Sequence, residues 1–278
     1  GRMMSAARKT DRTTRSLETE METRAEPEAV WAALTDAEEL TRWFPPRARV
    51  EPGVGGSVWM SWDDEGFEAS QGITLWEPPS RLRLEIEVPD LAAPLATDYF
   101  LRARSGGGTA LRIVQSGFSA DASWDGQYDA SVRGWRLALS EMKHMLERHR
   151  GEYRVFVSSH RDLEGRDQGV CAFNAIVGEE MLAASGGFEG LSAGDAYSAT
   201  TAWGESISGR VIVHVPGKDL AVSVKEWGDA YVNVMIAFPT LTGWTGRAIV
   251  RASFWGGGRA EAEPARGRIG AAMEGLTI

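Results

Sequence analysis

Side chains that commonly carry chemistry are sparse in this sequence, and their spacing argues against most of it. There are four histidines. His144 and His149 stand five residues apart in one helical pattern. At 3.6 residues per turn that spacing places them about 140° apart, so they are expected to face different ways and to share no metal ion. His160 and His214 are isolated. The single cysteine, Cys171, can form no internal disulfide and finds no second thiol for a zinc site. It lies in the apolar run Val170-Cys171-Ala172-Phe173 and reads as a small buried hydrophobe. The serines of Gly204-Glu205-Ser206-Ile207-Ser208-Gly209 lack the G-x-S-x-G spacing of a nucleophile elbow and read as a hairpin. Asp63-Asp64-Glu65-Gly66 lacks the ligand spacing of a calcium loop and reads as a turn. Glu85 and Glu87 share a strand face, as an acid–base pair must, but that face opposes Leu82, Leu84 and Ile86 and is expected to be wet. Glycine triplets fall between strands and not in the strand-to-helix setting of a phosphate loop. No catalytic residue, metal site or cofactor is therefore expected.

The elements that would position these residues are easier to read. Leu17, Thr19, Met21 and Thr23 alternate with glutamates, which predicts a strand. Pro27 suits the first turn of a helix over Glu26 to Leu34, and Asp36 caps a second short helix that ends at Pro45-Pro46. Strands are expected over Ser57 to Trp62, Gln71 to Trp76, Arg81 to Val88, Thr97 to Arg104 and Thr109 to Phe118. The turns between them mark an antiparallel meander. A long helix follows from about Trp124 to Arg150, where Val132, Trp135, Leu139, Met142 and Leu146 form one apolar stripe and Gly151 supplies the stop.

The second half repeats the first. Gly56-Ser57-Val58-Trp59 is matched by Gly194-Asp195-Ala196-Tyr197, and Gln71-Gly72-Ile73-Thr74-Leu75 by Ser208-Gly209-Arg210-Val211-Ile212. The turn at Pro78-Pro79-Ser80-Arg81-Leu82 is matched by Pro216-Gly217-Lys218-Asp219-Leu220. Tyr153 to Ser158 reads as the opening strand and Ile176 to Ala184 as a reduced helical insert. Only Pro264 to Leu276 remains for a closing helix. So short a helix would cover its sheet poorly, and its apolar face is expected to meet the first domain or another chain.

The order strand, two short helices, meander, long helix resembles the SRPBCC or START-like superfamily, and most closely bacterial homologues of the Hsp90 ATPase activator. The residues carrying the likeness are Ala29-Val30-Trp31-Ala32-Ala33-Leu34-Thr35-Asp36, Leu40-Thr41-Arg42-Trp43-Phe44, Gly55-Gly56, Gly134-Trp135 and Met142-Lys143-His144-Met145-Leu146. The resemblance implies an α+β helix-grip fold, with a curved antiparallel sheet wrapped on the long helix. The expected organisation is a disordered tail over 1–15, a first domain over 16–150 and a second, degenerate copy over 151–278.

Eleven tryptophans are the compositional oddity. In the fold this chain resembles, a cavity separates sheet and helix, and aromatic side chains either fill it or line it. The expected wall is Trp59, Trp76, Tyr99, Trp135, Leu139 and Met142, with Arg102 and Arg112 on neighbouring strands either orienting an anionic group or lying at the surface. The function this implies is binding of a small hydrophobic or aromatic molecule. Its alternatives are a cavity-shaping cyclase or aromatase and a chaperone-type interaction module, with a homodimer or protein partner met through the second domain. The net charge of −9 argues against nucleic acid. No apolar run approaches the roughly 20 residues of a membrane span. Ser5 to Arg15 lacks the apolar segment of a secretory signal, so a cytoplasmic location is expected.

Overall fold

The computed structural model describes residues 13–89, 91–239 and 245–278. Most of the expected tail lies outside the described residues, while Thr14 and Arg15 already belong to the first strand. The first half runs β1 (Thr14–Thr23), α1 (Pro27–Thr35), α2 (Ala37–Leu40), β2 (Arg47–Glu51), β3 (Ser57–Trp62), β4 (Phe67–Glu77), β5 (Arg81–Ile86), β6 (Leu95–Ala103), β7 (Thr109–Ser119) and α3 (Asp125–Arg148). Its seven strands form one sheet in the order β1-β7-β6-β5-β4-β3-β2. β2 was not expected from the sequence; it pairs with β3 at the sheet edge.

Local chemistry fixes the corners. Pro27 opens α1, and the Asp36 carboxylate accepts the Glu39 amide at 3.0 Å to start α2. Where β6 turns into β7, Gly108 has φ +90° and a Cβ there would lie 2.2 Å from the Thr23 carbonyl oxygen, so only glycine fits.

The second half runs β8 (Arg154–Asp162), α4 (Arg166–Val177), β9 (Ser185–Gly186), β10 (Ala196–Thr200), β11 (Ser206–Val215), β12 (Asp219–Val224), β13 (Ala230–Ala237), β14 (Arg247–Trp255) and α5 (Ala262–Glu274). Its sheet order, β8-β14-β13-β12-β11-β10-β9, repeats the first one strand for strand. The fold is α+β, two tandem helix-grip units. Among the described residues no helix is long and apolar enough to cross a membrane.

Three expectations for the second unit need correction. Its helical insert is Arg166–Val177, ahead of the expected Ile176 to Ala184. That helix carries the run Val170-Cys171-Ala172-Phe173, of which Ala172 and Phe173 are buried in the core while Cys171 is exposed. The short α5 seats Ala265, Ile269 and Met273 on its own sheet, beside α4, and not on the first domain. What meets the first domain is the sheet's other face.

That arrangement decides the rest. Val232, Val234 and Ile236 of β13 join the core under α4 and α5, while Tyr231, Met235 and Ala237 join the core of the first domain. Hence β12 and β13 are buried at every position. Helix α3 is the shared middle layer. Leu139, Met142 and Met145 join the first core, while polar residues at helical spacing reach across to the second sheet. Arg133 pairs with Asp219 at 2.6 Å and donates to the Ile236 carbonyl at 2.6 Å. Ser140 Oγ lies 2.7 Å from the Tyr231 hydroxyl. Trp255 Nε1 donates to the Arg42 carbonyl at 2.8 Å.

Candidate ligand cavity

A cavity of about 310 Å³ lies where α3 passes between the two sheets. Along α3 it is bounded by Ala130, Ser131, Gly134 and Ala138, small residues at helical spacing that leave the room. A Cβ built on Gly134 meets no atom within 4 Å.

The wall from the first domain is aromatic. Phe44 stacks on Trp43 at 4.7 Å and on Trp135 at 5.8 Å, and meets the edge of Trp62 at 5.1 Å. Phe67 continues the row beyond Trp62, and Tyr99 meets Trp135 edge to face at 6.1 Å. Trp135 is held by its indole, whose Nε1 donates to Gln115 Oε1 at 3.0 Å, and Gln115 in turn donates to Thr97 Oγ1 at 3.2 Å.

The opposite wall comes from the second domain: Phe156 on β8, Asn233, Met235 and Ala237 on β13, and Ile249 and Arg251 on β14. Two buried ion pairs cross the boundary beside it. Glu65, in the turn between β3 and β4, takes Arg251 Nε at 2.8 Å and Nη2 at 2.5 Å, and accepts from Ser158 Oγ at 2.9 Å. Burial alone would push its carboxyl up, but the charge and hydrogen bonds of Arg251 outweigh that and hold it below the ordinary carboxylate range. Glu141 on α3 accepts from Ser253 Oγ at 2.6 Å and pairs with Arg154 through one contact of 3.2 Å. Here burial wins: the Glu141 carboxyl is pushed up, and the Arg154 guanidinium down to about 10. The forked pair compensates its desolvation and the single-contact pair does not. Two lining oxygens stay unmatched: Asn233 Oδ1 and Gln71 Oε1 are buried without a hydrogen-bond partner among the described residues.

Of the residues expected to form the wall, the structure brings Tyr99 and Trp135 to the cavity. Trp59 lies on the far side of its strand beneath Arg47 and Arg49, with Arg49 at 4.1 Å from its ring centre. Trp76 packs edge to face on Trp31 of α1 at 5.1 Å. Leu139 and Met142 are core residues away from the cavity. Arg102 is exposed, and Arg112 is exposed and paired with Glu18. Sequence reasoning missed Glu65, Glu141, Asn233 and Arg251. A signal existed for Glu141: Arg133, Leu137, Glu141 and His144 form a second stripe along α3 at helical spacing.

The expectation that His144 and His149 diverge is also corrected. α3 ends at Arg148, and His149 is its cap with φ −133° and ψ 24°, so helical rotation no longer applies. The two rings lie 5.3 Å apart and their Nε2 atoms sit 2.7 and 2.8 Å from the carbonyl oxygen of Asp229. With Asp229 they place ligand-type atoms within 4.8 Å of one another. The Asp229 carboxylate is taken by Arg148 at 2.8 Å, a cation that opposes a divalent ion there. The arrangement works as a clasp between α3 and the second sheet.

Residues 24–147 match the family described as Activator of Hsp90 ATPase homolog 1-like protein. None of the curated proteins matches the chain. Among solved structures, protein MLL2253 from Mesorhizobium loti is 25% identical over 49% of this chain and 98% of that chain, with a TM-score of 0.42. The Aha1 dimer from Colwellia psychrerythraea is 17% identical over 49% and 98%, with a TM-score of 0.43. The di-domain ARO/CYC BexL from the BE-7585A biosynthetic pathway is 14% identical over 95% and 99%, with a TM-score of 0.44.

Proposed function

We propose that this chain, whose residues 24–147 form an AHSA1-like domain, binds one small aromatic molecule in the cavity between α3 and the two sheets. The observation that carries the reading is the 310 Å³ space itself, walled by aromatic rings on one side and kept clear by Gly134 on the other. It is about twice the size of a cavity that admits benzene, which suits a bicyclic aromatic. Apolar area is the source of affinity: at ~25 cal/mol per Å² buried, a naphthalene-sized ring system gains several kcal/mol before the cost of association.

The test is titration calorimetry with 2-naphthol on the wild type and on Gly134→Phe. The wild type takes up one molecule, and Gly134→Phe, whose ring enters the space left by the glycine, takes up none. Equal binding by both proteins would move the site elsewhere.

A catalytic reading has one observation in its favour, the raised carboxyl of Glu141 on the cavity wall. Both of its oxygens are committed, one to Ser253 and one to Arg154, so it is poorly placed to exchange a proton with a ligand. Binding is the better reading of the same geometry.

A further inference from the structure

We infer that the second domain is the recognition half of this cavity: Asn233 and Arg251, side by side on β13 and β14, bind a neutral hydroxyl or carbonyl group on the edge of an aromatic ligand. The inference rests on the cavity being a ligand site and adds what kind of ligand it selects.

Asn233 and Arg251 are direct partners in the β13–β14 ladder, and both line the cavity. Asn233 is 4% exposed, and its buried Oδ1 has no hydrogen-bond partner among the described residues. A buried acceptor in that state is destabilising, and a ligand group that pairs with it recovers that loss. Arg251, a lining residue, spends Nε and Nη2 on Glu65, which leaves Nη1 as the donor not used in that pair. The pair thus offers an acceptor and donors within one patch, the complement of a hydroxyl or a ring carbonyl.

Charge sets the class. The positive charge of Arg251 is already matched by Glu65, and Glu141 is matched by Arg154. A carboxylate or sulfonate entering here would be buried beside two carboxylates without a cation of its own, and an ammonium would be buried beside the Arg251 guanidinium and two carboxylates already matched. A neutral ligand meets neither cost. Across the cavity, Gln71 Oε1 on β4 is a second acceptor without a partner, which fits a further hydroxyl. The chemical class is therefore a neutral, hydroxylated aromatic. The first domain supplies the rings that hold it, and the second supplies the groups that tell it from a plain hydrocarbon.

The experiment compares dissociation constants of naphthalene, 2-naphthol and 2-naphthoate for the full chain, as wild type and as Asn233→Leu. In the wild type 2-naphthol binds about tenfold tighter than naphthalene, the effect of one buried hydrogen bond, and 2-naphthoate binds more weakly than 2-naphthol. In Asn233→Leu naphthalene still binds, and the advantage of 2-naphthol shrinks to about twofold or less. If leucine disturbs the sheet, Asn233→Ala gives the same comparison and must show the same collapse. An unchanged naphthol advantage in these variants, or a preference of the wild type for 2-naphthoate, overturns the inference while leaving the cavity as a binding site. A wild type that binds none of the three overturns the binding reading itself, and the inference with it.

Discussion

Glu65 of the first domain and Arg251 of the second form a forked ion pair, with contacts of 2.8 and 2.5 Å and Glu65 only 2% exposed. The pair ties the turn between β3 and β4 to β14. The backbone joins in as Arg247 Nη1 donates to the Glu65 carbonyl at 2.7 Å. It also sets one end of the cavity, so domain docking and cavity shape depend on the same contact.

Removing one member strands a buried charge. Arg251→Met is expected to destabilise the protein by about 3–5 kcal/mol, and Glu65→Gln by a similar amount. The double variant leaves no charge uncompensated and should cost clearly less than the two single changes together. Urea unfolding of the four proteins measures this. Strict additivity would mean that the two residues do not act as a pair in solution.

Gly134 lies in the middle of α3 and faces the cavity. Since a Cβ there meets no atom within 4 Å, Gly134→Ala should stabilise the fold by up to about 1 kcal/mol through helix propensity. A loss of stability would show that the space is closed in solution.

Trp43 and Trp135 both line the cavity but differ in burial. Trp43 is 1% exposed with its Nε1 donating to the Ala33 carbonyl at 2.8 Å, so Trp43→Ala should cost about 3–5 kcal/mol. Trp135 is half-buried, and Trp135→Ala should cost about 2 kcal/mol, below the core range. It should also weaken 2-naphthol binding at least tenfold, because it removes a cavity wall. Denaturation and calorimetry on the two variants give both numbers.

Stability should fall on the acid side of neutrality. Burial lowers the His144 imidazole below its ordinary 6.5, against the pull of Asp229. The groups facing it are His149, Arg148, Asp229 and Tyr231. The unfolded chain therefore binds a proton before the folded one does, and the stability present above pH 6.5 is lost as pH falls through the folded value. Glu65, also lowered, acts in the same direction at more acid pH, losing its contribution as pH drops below its ordinary 4.5. Glu141, raised, acts oppositely, favouring the fold while protonated and losing that as pH rises. His144→Gln keeps a donor for the Asp229 carbonyl without a titrating ring. Its thermal midpoint should change less between pH 7 and about pH 5.5 than that of the wild type. Parallel curves would assign the loss to other groups.

Much of the architecture was legible because strands and helices announce themselves by period. The alternation of β1, the helix opened by Pro27 and the stripe on α3 each stand where the pattern put them. The glycine and turn matches between halves correspond to two sheets of the same strand order. What stayed hidden was the stacking of the halves. Alternation in Val232, Val234 and Ile236 marks one buried face but says nothing of Tyr231, Asn233 and Met235 on the other, which is covered by α3. For the same reason Glu65 reads from sequence as a turn residue and no more, since its partner lies on a strand 186 positions away. Trp59 and Trp76 read as wall because tryptophan type does not tell a cavity from the outer face of the sheet, where Trp59 lies, or from packing against α1, where Trp76 lies. Cys171 reads as buried from the apolar run around it, but a helix turns part of such a run outward.

The most direct test of the account is the structure of the full chain crystallised with 2-naphthol. The bicyclic ring is expected between Trp135 and Met235, its hydroxyl within hydrogen-bond distance of the Asn233 carboxamide, and the Glu65–Arg251 pair intact beside it. A naphthol seated on the outer surface, or bound inside one domain with Gly134 and Asn233 untouched, would contradict it.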